Sequence, residues 1–165
     1  MRIPASCVSL LAVLASACSS MPKKPFSPAP AAPDAASVYF YRPSEMTGLL
    51  LHPSLSANGA AIGRISNDSC AVVRLPAGAV QLRSVWPGIP GTSRDDSAAV
   101  NVEAGKNYYV RVRYHQGKAH KAAPGVPVAS ALVYEDRPGL EEVAEADALP
   151  EMGHFASCAA LSVAK

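Results

Sequence analysis

Tyr108-Tyr109-Val110-Arg111-Val112-Arg113-Tyr114-His115 decides the fold, because its side chains alternate. Tyr108, Val110, Val112 and Tyr114 fall on one face of an extended chain, and Tyr109, Arg111, Arg113 and His115 on the other. A period of two belongs to a strand with one buried face. Just upstream, Ala104-Gly105-Lys106-Asn107 reads as a turn, and before it Ala98, Val100 and Val102 alternate against Ala99, Asn101 and Glu103. The same pattern recurs further out. Ser37-Val38-Tyr39-Phe40-Tyr41 is β-branched and aromatic and stops at Arg42-Pro43. Leu55 and Ala57, then Asn58-Gly59, then Ala60 to Ile65 form a hairpin whose two central residues suit a type I′ turn. Cys70 to Leu75 is a strand, Pro76-Ala77-Gly78 turns it, and Val80, Leu82 and Ser84 set the inner face of the next strand with Gln81 and Arg83 outward. Val128 to Tyr134 supplies a further strand. After Tyr134 the pattern predicts a helix that starts at Asp136-Arg137-Pro138 with the proline in its first turn, has Glu141 and Glu142 toward the positive end of its dipole and Leu140, Val143 and Ala144 on one side, and ends by Pro150. Cys158 to Val163 can return as an edge strand. The expectation is a mainly β chain: an antiparallel β-sandwich of about seven to nine short strands with one C-terminal helix.

The N-terminus has a different composition. Arg2, an apolar run from Val8 to Ala17 and small residues before Cys18 make an export signal. The run is about half of the roughly 20 residues that a membrane-spanning helix needs. Leu14-Ala15-Ser16-Ala17-Cys18 reads as the lipidation site of a bacterial lipoprotein, with Cys18 as the acylated residue. Ala15 stands where a Leu is usual, and Ala15-Ser16-Ala17 also suits ordinary signal-peptidase cleavage, which would release a soluble periplasmic protein. Residues 1–17 are thus expected to be a signal peptide and 18–35 a lipidated, Pro/Ala-rich tether, with Lys23 and Lys24 near the anchor. Residues 36–165 are expected to be one β-sandwich domain with a late helix. Ser19, where Asp would signal inner-membrane retention, favours the outer membrane, facing the periplasm.

The formal charge is +2, from 15 basic and 13 acidic residues, which does not suggest a nucleic-acid binder. Its distribution is uneven. Basic residues dominate from Arg42 to Lys121 and acids from Glu135 to Glu151, which suggests that the acidic segment lies across a basic part of its own domain. Cys70 and Cys158 remain beyond Cys18, and in an oxidising compartment they are expected to bond to each other; the alternative is two buried free thiols. A zinc site is not expected, since neither belongs to a C-x-x-C pair.

Val38-Tyr39-Phe40-Tyr41-Arg42-Pro43, Asn58-Gly59 with Ile62-Gly63-Arg64, Leu75-Pro76-Ala77-Gly78, and Ala104-Gly105-Lys106-Asn107-Tyr108-Tyr109-Val110 occur in that order. Together they resemble an uncharacterised family of bacterial lipoproteins, a domain of unknown function whose sandwich is similar to PEGA-type surface modules. The resemblance runs from Ser37 to Leu149 and implies fold and location, with no known substrate.

H-E-x-x-H, G-x-S-x-G, P-loop and Rossmann patterns do not occur. His115 and His120 flank a loop that could share a metal or be a hairpin tip, and Asp95 and Asp96 could act as acid and base or be solvated turn residues. Neither pair points to an enzyme, a metal or a cofactor. Two features could bind a partner. Trp86 opens a Pro/Gly-rich loop and could stack on a glycan, or cap its own core. Arg111, Arg113 and His115, beside Tyr109, could offer a basic stripe to peptidoglycan carboxylates or lipid phosphates, or receive Glu141, Glu142 and Glu145 from their own chain. The expectation is a non-enzymatic lipoprotein held to the membrane by its N-terminal lipid and engaging an unknown envelope protein or glycan. The alternative is a soluble periplasmic glycan- or peptide-binding protein.

Overall fold

Ala36–Arg42 forms the first strand, β1, and all seven of its residues are buried. A strand covered on both faces must lie inside a sheet and between two layers, and the rest of the chain supplies both. The structure, a computed structural model, describes residues 25–87, 95–115, 119–121, 132–134 and 137–164. Its further strands are β2 (Ser54–Ala57), β3 (Ala60–Arg64), β4 (Ser69–Leu75), β5 (Gly78–Val85), β6 (Asp95–Val102), β7 (Asn107–His115), β8 (Ala119–Lys121), β9 (Leu132–Tyr134), β10 (Arg137–Val143) and β11 (Ala159–Leu161). One helix, α1 (Glu145–Met152), lies between the last two.

Nine of the strands form two sheets, ordered β10-β7-β1-β4-β11 and β3-β2-β5-β6; β8 and β9 pair as a separate ribbon. The expected alternation holds where it was clearest. Val80, Leu82 and Ser84 are buried and Gln81 and Arg83 exposed along β5, and Val110, Val112 and Tyr114 are buried along β7. The Asn58-Gly59 turn joins β2 to β3 with φ of 49° and 81°, the positive values that a type I′ turn requires. Val38 and Phe40 of β1, Leu55 of β2, Leu82 of β5, Val100 of β6 and Val112 of β7 meet in one apolar cluster shared by the two sheets. Hydrogen bonds join the sheets at both sides: Leu140 N–H to Asp96 Oδ2 at 2.7 Å, and Ala164 N–H to Ala61 O at 2.8 Å.

Three expectations are corrected. The larger sheet is mixed, not antiparallel: β1 pairs with β7 in parallel, as does β11 with β4. Between β1 and β7 the chain builds the whole second sheet, so it returns beside β1 running the same way, and side-chain alternation looks alike for either direction. The helix begins at Glu145 rather than near Arg137, and Pro150 lies within it. Residues 137–143 are instead strand β10, antiparallel to β7. Leu140 and Val143, three apart, mimic a helical stripe, but on a strand an odd spacing puts them on opposite faces. Leu140 enters the inter-sheet cluster and Val143 a second cluster on the outer face. Pro138 is tolerated because β10 is an edge strand. Asp95 and Asp96, expected in a loop, open β6 opposite Val85 and Ser84.

The signal peptide, Cys18, Lys23 and Lys24 lie outside the described residues, as do the 116–118 loop and residues 128–131 of the strand expected to end at Tyr134. Within the stretch read as a tether, residues 25–35 run along the domain. Phe26 packs edge-on against Tyr39 with ring centroids 5.8 Å apart, and Ala29 N–H donates to the Tyr39 hydroxyl at 3.1 Å.

Candidate functional site

Parallel pairing sets Tyr39 beside Tyr109 and Tyr41 beside Arg111 on the outer face of the larger sheet. β4 extends the first row with Val72 and the second with Cys70, and β10 adds Val143 and Glu141. The face is therefore half aromatic and half ionic. Tyr39 and Tyr109 stack at 5.4 Å, and α1 lays Ala148 and Met152 over the tyrosines. α1 has eight residues and no side-chain cap. A helix that short is marginal in isolation, so this apolar contact holds it.

The helix also brings the acid that answers the basic stripe. Arg111 donates from Nη2 to Glu151 Oε1 at 2.6 Å, from Nε to the Tyr41 hydroxyl at 3.1 Å, and from Nη1 to Glu141 Oε2 at 3.3 Å. Tyr41 in turn donates to Glu151 Oε2 at 3.0 Å. The Arg111 side chain is 14 % exposed, so solvent screens this network less than a surface pair. Burial opposes its charge, and the Tyr41 hydrogen bond with the Glu151 and Glu141 carboxylates outweighs that and raises its pKa. Arg113, on the same face, donates from Nε to Glu45 Oε1 at 2.6 Å. The reading in which this stripe receives acids of its own chain thus fits the geometry. Of the acids named for that role only Glu141 is used; Glu45 and Glu151 take the others' place. Tyr109 is buried, and Tyr109 and Arg111 lie beneath α1 instead of facing solvent.

Burial pushes the Tyr41 hydroxyl up to about 12; the Arg111 hydrogen bond pulls down and the one to Glu151 pushes up. Burial raises Tyr39 and Tyr109 as well, Glu145 adding to the effect at Tyr109. The unfolded chain releases these protons near pH 10, before the folded one does, so the stability that they contribute is complete below about pH 10 and fades as pH rises toward 12. Urea midpoints should hold steady up to about pH 9.5 and fall by pH 11.5, with a shallower fall for Tyr41→Phe. A flat profile over that range would count against this account.

Trp86 is far from this face. It is buried, its indole N–H donates to Ser84 Oγ at 3.3 Å, and its ring packs on Tyr114 at 5.0 Å. Above it sits the guanidinium of Arg42, 4.7 Å from the ring centroid. Arg42 is fully buried, donating to Leu51 O at 2.5 Å and Gly48 O at 2.6 Å. Trp86 therefore caps its own core. Arg42 was readable from parity, two residues beyond Phe40 on the inward phase. The loop that it clamps exposes Met46 and Leu50.

The other chemical candidates are engaged as well. Asp95 pairs with Arg83 and Asp96 accepts from Leu140. His115 lies against Gly139, where a Cβ would come within 2.5 Å of Nε2; the loop between it and His120 is outside the described residues. Among the described residues no cluster of three or more potential ligands could hold a metal. Cys70 and Cys158 are joined by a disulfide, with Cα atoms 4.7 Å apart, which fastens the segment before β11 to the outer face.

One part of that face is uncovered. Beyond α1, a groove of about 460 Å³ runs over Tyr39 and Val72, between Ala29-Pro30 on one side and Leu161 and Val163 on the other, with Arg74 on its lining.

These features define a mainly β protein of two sheets with one covered outer face. The family described as a protein of unknown function, DUF2846, matches residues 32–126, and the chain belongs to that family. The match takes in β1 through β8; β10, α1 and β11, which cover or border the outer face, lie beyond it. No curated protein and no solved structure matches the chain.

Proposed function

We propose that the chain is a membrane-anchored lipoprotein of the bacterial cell envelope that acts as a non-enzymatic interaction or structural module. A PEGA-like sandwich would be held at the outer membrane, facing the periplasm, by acylated Cys18. The observation that carries this reading is Leu14-Ala15-Ser16-Ala17-Cys18 at the end of an apolar run of export-signal length. The Cys70–Cys158 bond supports it, because such bonds persist in oxidising compartments. The engagement of Arg111, Arg113 and Asp96 in contacts within the fold supports a non-catalytic role.

The soluble periplasmic binder remains the second reading, favoured by the A-x-A character of Ala15-Ser16-Ala17. The two differ at the mature N-terminus. Intact mass of the protein from cell envelopes is expected to start at Cys18 with one thioether-linked diacylglyceryl group and one amide-linked acyl chain. The protein should leave washed membranes with detergent and not with high salt. A mature chain that starts at an unmodified Cys18 would replace this proposal with the second reading.

A further inference from the structure

The outer face is covered by α1 at one end and open at the other. The open strip runs through Ser37 and Tyr39 of β1, Val72 and Arg74 of β4 and Ala160 of β11. Its volume falls within the roughly 300–1,000 Å³ of small-molecule sites. β1 lies between β7 and β4, and β4 between β1 and β11. The backbone of β1 and β4 is therefore already paired on both sides, and the open edge at the strip's border is that of β11, three residues long, which gives an extended peptide little to join. What the floor offers is side chains: a mostly apolar lining with a cation at one place.

None of the polar side chains on that lining, Tyr39 included, carries a negative charge at neutral pH. Arg74 offers a guanidinium and Ser37 and Ser162 offer hydroxyls, while no Asp or Glu lines the groove. Arg111, Arg113 and Arg83 each hold a carboxylate; Arg74 holds none among the described residues. An apolar groove with one planar cation that no carboxylate among the described residues answers fits a ligand with a hydrocarbon chain and an anionic, bidentate head.

We propose that this groove binds one long-chain fatty acid, its hydrocarbon chain along Val72 and Ala160 and its carboxylate on Arg74. The site draws only on residues of the folded domain, so it stands whether or not Cys18 is acylated.

The test uses the full chain in neutral phosphatidylcholine vesicles at about pH 8 and a palmitic acid with a photoreactive diazirine near its methyl end. Mass spectrometry of the digest is expected to place the crosslink on the peptides that carry Val72 and 160–163. Unlabelled palmitate should compete, and its methyl ester should compete about tenfold less well, the loss of one charge-assisted contact. Arg74→Glu, on an exposed side chain, should lower labelling by a similar factor. Resistance of Cys70 and Cys158 to alkylation would show that the variant is folded. Val72→Trp should block the groove and remove labelling. Three results would overturn the proposal: labelling scattered over other peptides, equal competition by the methyl ester, or unchanged labelling in folded Arg74→Glu. Competition by a single-chain phospholipid and not by palmitate would also overturn it, since it would assign the site to a phosphate head.

Discussion

Arg42→Met is expected to destabilise the protein by about 3 kcal/mol and to loosen the loop that follows β1. Arg42 is fully buried and donates to two backbone carbonyls, of Gly48 and Leu51, while its guanidinium lies over Trp86. Hydrogen bonds from a charged donor contribute about 1.5–3 kcal/mol each, and a desolvated cation over an indole contributes up to about 2 kcal/mol. Against these stands the cost of burying the charge, which pulls the Arg42 pKa down, and Nε has no hydrogen-bond partner among the described residues. Methionine fills most of the volume and needs no hydration, so it recovers part of the loss. It leaves Leu51 O unanswered and Gly48 O with the Leu51 N–H alone, and the loop must open to hydrate them. The net effect should be a loss, seen as a lower urea midpoint and as faster amide exchange at Leu49 and Leu51, whose N–H groups close the turns of that loop. Arg42→Lys should fall between, since an ammonium cannot serve two acceptors and a ring in one plane. Unchanged stability in Arg42→Met would mean that desolvation cancels the contacts and that the clamp does not hold the loop.

The second large effect is expected at the disulfide. Cys70 and Cys158 are 88 positions apart, and constraining so long a loop in the unfolded chain corresponds to about 4–5 kcal/mol in the chain-entropy account, with 2–4 kcal/mol more usual in measurement. The double substitution Cys70→Ala, Cys158→Ala should cost an amount in that range. Its local consequence is specific. β11 has three residues and pairs with β4 alone, and a Cβ on Gly63 would lie 3.1 Å from Leu161, so that stretch packs tightly once fastened and is weakly held otherwise. Exchange protection at Leu161 and Ala164 should be lost well before that of β1. If the variant melts as one unit with unaltered protection there, the bond stabilises the fold globally and does not fasten the tail.

Where a strand buries one face, the sequence declared it. β5, β7 and the Asn58-Gly59 hairpin follow from alternation and turn chemistry alone. Alternation does not report direction, so the parallel pairing of β1 with β7 was not legible. Nor did it report the outer layer. Tyr109 was assigned the correct phase, but what covers it together with Tyr39 and Tyr41 is an eight-residue helix whose position depended on reading Pro138 as part of a strand. Of the candidate binding residues, Trp86 and Tyr109 went to the two cores. Arg111 and Arg113 found carboxylates 40 and 68 positions away in the chain, at Glu151 and Glu45; no local pattern encodes pairs that distant. Arg74 drew no notice because an outward arginine on a strand looks like solvent decoration. Its setting became visible only with β11 and Ala29-Pro30 on either side.

The chain enters the folded body through β1, and β1 is the middle strand of five. A load applied from the N-terminal side is therefore drawn along the long axis of an interior strand, flanked by β7 and β4. Its hydrogen bonds to both neighbours would have to slide together, where an edge strand would unzip one bond at a time. The body is thus built to withstand tension at the end where the proposed anchor would pull.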